Sequence, residues 1–129
     1  MAKEEVIEIG ELPIDKINRA LDTELDPGML VLTPGSARHV KKSHPDEYDQ
    51  CLPHLQKVIS DPSYIGDDFR NKGKFELVRP VQGFDGQSIL VAVVTEPDEK
   101  GNYRVASFYP VSQAKVDKRR QKGTLIIAR

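Results

Sequence analysis

The chain has one cysteine, three histidines and no tryptophan in 129 residues. A lone Cys51 excludes an intrachain disulfide and makes a reducing cytosol the expected compartment. So few cysteines and histidines give no paired-ligand spacing for zinc, and no metal or other cofactor is expected. Aromatic residues make up 6% of the chain, which argues against a platform for stacking successive bases of a single strand. No run of 18 apolar residues is present, so no membrane-spanning helix is expected. The opening MAKEEVIEIG has no apolar stretch behind a basic start, and no secretory leader is expected. Internal repeats and low-complexity tracts are also missing.

What remains is an ordinary single-domain composition, 38% apolar and 30% charged. The charge is unevenly spread. Residues 1–30 hold three cations against eight acids, a net −5, and residues 101–129 hold seven cations against Asp117, a net +6. This polarity permits a basic face on a chain of net charge −1. A solvated basic helix gives the same pattern.

The first half reads as short helices with extended pieces. EVIEIGEL alternates and predicts a short strand or arm. PIDKINRAL sets Ile14, Ile17 and Leu21 on one helical face, with Pro13 in the first turn. Residues 1–24 are set apart as an N-terminal arm or short helix, ahead of a main domain over 25–129. DPG is turn chemistry, MLVL a brief strand and TPG its stop. Ser36 is expected to cap a helix through about His44, which Pro45 ends. Asp46 to Cys51 is a linking turn or itself helical. A further helix starts near Leu52, with Pro53 in its first turn, and turns Leu55, Val58 and Ile59 inward. DPSYIGDD closes this half, with Tyr64 and Ile65 as core anchors and Gly66 serving the turn.

The second half is rich in β-formers. FELVRPV, SILVAVVT and YRVASFYPV, joined by turns such as GFDG and PDEKGN, predict an antiparallel meander. Strict alternation sets Val105, Ser107 and Tyr109 on one face, and Ala106, Phe108 and Pro110 on the other. SQAKVDKRRQKG predicts a basic helix capped by Ser112 and stopped by Gly123, and TLIIA predicts a last strand. Helices followed by an antiparallel sheet make an α+β domain.

The densest chemistry lies in SARHVKKSHPDEY, where two of the three histidines stand beside Arg38, Lys41 and Lys42. Such a cluster suits a phosphate, since lysine and arginine supply donors and imidazole titrates near neutrality. Helical spacing sorts the cluster. His39 and Lys42 are i, i+3, whereas His39 and His44 are about 140° apart at 100° per residue. One regular helix cannot turn both imidazoles toward one phosphate. Either Pro45 redirects His44 or a single histidine is used. The plain alternatives are a helix-terminal His44 favoured by the dipole, a His39 bonded to backbone, and surface lysines.

RHVKKSHP, VISDPSYIG, SILVAVV, YRVASFYPVS and KVDKRRQKGTL, in that order over roughly residues 25–129, resemble a phage-associated nuclease-like family. That family belongs to the barnase/EndoU/colicin/RelE (BECR) superfamily. The more specific parts are the H-x-x-K-x-H-P helix and the DP-x-YIG turn. The resemblance implies N-terminal helices packed on an antiparallel sheet of about four strands. It also implies a metal-independent ribonuclease, toxin-like or carried with a phage or prophage. RNA is then the expected partner, with an immunity or antitoxin protein as a second, and the location is cytoplasmic or within a phage particle. His39, Lys42, His44 and Ser107 match its motifs, while Arg119 matches only a general basic tendency.

RNA cleavage without a metal needs a base at the 2′-hydroxyl, an acid at the leaving 5′-oxygen and donors for the phosphate. His44 is the first choice for acid/base and His39 the reserve, with Lys42 and Ser107 on the phosphate. Arg38, Lys41, Tyr109, Lys118, Arg119 and Arg120 are the expected substrate contacts. Ser107 as a small buried polar residue, His54 on the surface and Cys51 in the core are the structural readings. Two other functions fit the same sequence: a catalytically inactive RNA- or protein-binding module, and a phage assembly module.

Overall fold

A computed structural model of the chain describes residues 5–67, 73–83 and 86–129. Residues 1–4 of the arm, Asp68 in DPSYIGDD, and Phe84 and Asp85 of the GFDG turn lie outside the described residues. In chain order the elements are β1 (Ile7–Glu11), α1 (Ile14–Leu21), β2 (Met29–Leu32), α2 (Pro34–Ser43) and α3 (Pro45–Cys51). A 3-10 turn (Leu52–His54), α4 (Leu55–Ser60), β3 (Tyr64–Asp67), β4 (Lys74–Pro80) and β5 (Ser88–Val94) follow. The chain closes with β6 (Tyr103–Val111), α5 (Gln113–Gln121) and β7 (Leu125–Ile127).

The domain is α+β, but its sheet exceeds the four strands expected. Seven strands run in the order β1-β2-β6-β5-β4-β3-β7. The β4-β5-β6 meander is the centre, and β3 and β7 extend it antiparallel on one side. On the other side β2 runs parallel to β6, pairing Leu30 with Tyr103 and Val31 with Arg104, and β1 closes that edge. Residues 64–67, expected as a closing turn, form a strand instead. Gly66 is needed there for close approach, because a Cβ would collide with the Thr124 carbonyl and the Leu125 side chain of β7.

Local chemistry explains the helix ends. Thr33 caps α2 in place of Ser36: its hydroxyl accepts from the Ser36 N–H at 3.2 Å, with Pro34 in the first turn. Pro45 both ends α2 and begins α3, where its missing N–H costs nothing. Ser112 caps α5 by accepting from the Lys115 N–H at 3.3 Å. Gly123, at φ +77°, follows the C-terminus of α5.

The two faces of the sheet are covered unequally. On one face α1 to α4 bury Ile17, Val40, Tyr48, Leu55 and Ile59 in a core with Phe75, Leu77 and Val91. Ile9, Leu12 and Ile14 from the first 24 residues share that core. Among the described residues the other face carries only α5, whose Val116 packs on Val78, Leu90, Ala92, Val111 and Leu125. Among the described residues no helix is long and apolar enough to cross a membrane.

Candidate active site

The site begins with an extra residue in β6. Ala92 pairs with Ser107 and Val93 with Val105, so Ala106 is a β-bulge. The bulge breaks the expected alternation. Phe108 joins Val105 on the helix-covered face, while Ser107 and Tyr109 share the α5 face with their partners Ala92 and Leu90. Two cross-strand rows result on the α5 face. One runs Gly66, Glu76, Ala92, Ser107, and the other Tyr64, Val78, Leu90, Tyr109.

The same bulge docks the histidine. Phe108, turned to the helix side, meets the Tyr48 ring of α3 at 5.5 Å between centroids. β2 pairs with β6 only through Tyr103 and Arg104, so α2 and α3 pack along the remainder of β6. Ala37 and Val40 of α2 face the core, and His44 continues their stripe at the i, i+3, i+7 spacing. His44 leaves helical geometry, at φ −139° and ψ 64°, between α2 and α3. Its N–H donates to the Val40 carbonyl at 2.7 Å and its carbonyl accepts from the Tyr48 N–H at 3.1 Å. Held at both backbone ends, the imidazole stacks on the Tyr109 ring at 4.9 Å with a 21° interplanar angle.

From Tyr109 the polar chain continues under α5. Arg119 hydrogen-bonds Tyr109 and donates to a Glu76 carboxylate oxygen at 2.8 Å. The Glu76 side chain is 7% exposed and that of Arg119 is 36% exposed. Burial pulls the Arg119 pKa down, but Glu76 and then Tyr109 outweigh it, and the guanidinium ends above its ordinary value. One residue on, Arg120 lies over the Tyr64 ring at 4.8 Å and reaches its hydroxyl at 3.4 Å.

His44, Tyr109 and Arg119 are therefore brought together, with Ser107 on the same face. Arg38, His39 and Lys42 stand exposed on the outer side of α2, and Lys118 is exposed on α5. Lys41 is also exposed, with its ammonium 4.8 Å from the centre of the Tyr48 ring. α2 is regular to Ser43, so the two histidines of RHVKKSHP do diverge, and His44 is the inward one. Glu76 escaped the sequence reading. Its signal was a single acid in the apolar run FELV, at a position whose strand neighbours are all buried.

Residues 7–118 match the family described as phage-Barnase-EndoU-ColicinE5/D-RelE like nuclease3. The chain belongs to this nuclease family. The match begins at the first strand, well before the span from residue 25 over which the motifs suggested it, and takes in β1 and α1. No curated protein and no solved structure matches the chain significantly.

Proposed function

We propose that the chain is a ribonuclease that cleaves RNA by attack of the 2′-hydroxyl on the adjacent phosphate, without a metal ion. The observation that carries this reading is the chain of contacts from His44, beside β6 at the α2–α3 junction, through Tyr109 and Arg119 to Glu76 under α5. It supplies two proton-transfer groups of different type, separated by one hydroxyl and one cation. Glu76 accepts the 2′-hydroxyl proton as the 2′-oxygen attacks phosphorus. His44 gives a proton to the departing 5′-oxygen, leaving a 2′,3′-cyclic phosphate.

The charge that builds on phosphorus needs fixed donors. Arg119 has five N–H donors, more than Glu76 and Tyr109 occupy. Ser107 and Glu76 sit in one row, two strand spacings or about 10 Å apart, on either side of Ala92, which α5 covers through Val116. The phosphate is placed at the outer side of this row, where the Arg119 guanidinium is partly exposed. Among the described residues no group of three or more His, Cys, Asp or Glu side chains is spaced to hold a metal ion.

The test is to incubate the protein with end-labelled RNA in EDTA and to identify the product ends. Cyclic phosphate ends are expected. His44→Ala and Glu76→Gln should each lower cleavage by at least about a hundredfold, the lower bound for a general acid or base. Activity that EDTA abolishes and Mg²⁺ restores would overturn the mechanism. RNA binding without any cleavage would instead favour the inactive binding module.

A further inference from the structure

All four large apolar side chains that stand exposed among the described residues belong to the two ends of the sheet. Val6 and Ile7 are 54% and 41% exposed at the start of β1, and Ile126 and Ile127 are each 45% exposed on β7. β1 and β7 are the outermost strands. Among the described residues each therefore has one side whose backbone N–H and C=O groups meet no neighbouring strand, an arrangement that templates further pairing. On β7 the N–H of Ala128 is turned inward to the Ser63 carbonyl, so by alternation the backbone groups of Ile127 point outward.

The two edges differ in charge. Glu5, Glu8 and Glu11 are exposed along β1. β7 instead lies between two helices that bring cations. With α1 it forms a groove of about 370 Å³ in which Lys16, Arg19 and Arg129 flank Ile126 and Ile127. With α5 it forms a groove of about 520 Å³ whose wall carries Arg120 and one acid, Asp117. An added strand gains main-chain hydrogen bonds along such an edge and fills pockets with alternate side chains.

We propose that the β1 edge of one molecule adds beside β7 of a second copy, so that the chain associates head to tail. Val6, just before β1, and Ile7, its first residue, are successive and project to opposite sides, so that they enter the two grooves that flank β7. The acids of β1 meet the cations beside β7. Pairing of like edges is disfavoured, because β1 against β1 sets acids on acids and β7 against β7 sets cations on cations. The contact joins two different surfaces, so each molecule keeps one unused edge and assembly continues into a ring or an open chain. It leaves His44, Tyr109 and Glu76 outside the interface.

Sedimentation of the whole chain across a concentration series tests this. The mean mass should rise past that of a dimer at low salt and fall back toward the monomer at high salt. Ile7→Arg spoils only the head and Ile127→Asp only the tail, and each variant alone should stay monomeric. Mixed together they should form a one-to-one dimer and nothing larger, because one intact head meets one intact tail. Glu8→Lys and Arg129→Glu form a second pair that changes no apolar packing, and circular dichroism checks the fold of all four. A parent that stays monomeric throughout overturns the proposal. So does a single variant that assembles like the parent, or a mixture that adds no dimer.

Discussion

Glu76 and Leu77 are neighbours in β4 and point to opposite faces of the sheet. Leu77 enters a core covered by four helices, where its contacts are apolar. Glu76 is almost as buried, yet it lies under α5 alone and is held by a guanidinium. One strand period thus divides the protein into a face that stabilises and a face that carries charge. The polar groups collect where the cover is a single nine-residue helix, whose partly exposed Arg119 joins the buried carboxylate to the surface. A thick layer would leave a carboxylate in that position without access and at a high desolvation cost.

The strongest way to break this division is to damage the helix-covered face alone. Leu77→Ala removes a fully buried side chain and is expected to cost about 3–5 kcal/mol in chemical denaturation. RNA cleavage per folded molecule should fall much less than stability, because the Leu77 side chain lies on the face opposite the Glu76 carboxylate. A parallel collapse of activity and stability would mean that the two faces are not separable.

The α5 face should respond differently. Arg119→Met takes the guanidinium away from the buried Glu76 carboxylate, at a cost of about 3 kcal/mol, the low end for a broken buried pair because Arg119 is partly exposed. Adding Glu76→Met should recover most of that stability while activity stays lost. A double variant as unstable as Arg119→Met would assign the loss to packing by the long arginine side chain.

Titration sharpens the contrast. On the helix-covered face burial, and then Glu47, push the Cys51 thiol from its ordinary 9.0 to about 11. Its contribution to stability is complete below pH 9 and is lost as pH rises toward about 11, because the unfolded chain releases the proton first. The loss is capped at about 3 kcal/mol. Tyr48 and Tyr103, raised chiefly by burial, add to it in the same direction at higher pH. Cys51→Ala should flatten the fall in unfolding midpoint between pH 9 and 11, whatever constant offset its cavity brings. An unchanged slope would leave the alkaline loss to the tyrosines.

The helix-covered face was the more legible of the two in the sequence. Ile14 and Ile17, or Leu55, Val58 and Ile59, repeat at helical spacing and are buried as that spacing requires. The meander was also readable, since its strands are joined locally. Long-range pairing was not. β2 beside β6 and β7 beside β3 join segments dozens of residues apart, and the pattern of β3 is only four residues long. His44 at the α2–α3 junction and Tyr109 and Arg119 toward α5 were picked out as residue types, but their meeting was hidden. The Ala106 bulge reverses the face of Phe108, and Glu76 is 43 residues from Arg119. A single added residue in a strand leaves no trace in composition.

Ser107 gives the smallest and most discriminating test, because it stands where the bulge returns the strand to the α5 face. It shares a row with Glu76 across Ala92, and its hydroxyl is the one group in that row able to donate to a phosphate seated there. Ser107→Ala keeps the backbone and removes only that donor. Cleavage should fall about tenfold, equivalent to about 1.4 kcal/mol for one neutral hydrogen bond. Stability should barely change, since the side chain is only half-buried. Ser107→Val introduces a β-branched strand former and puts methyl groups beside Ala92. If the row seats the phosphate, valine must cost more activity than alanine while leaving the fold at least as stable. Equal activity in both variants would move the phosphate off this row and toward Arg120 and Tyr64, one residue further along α5.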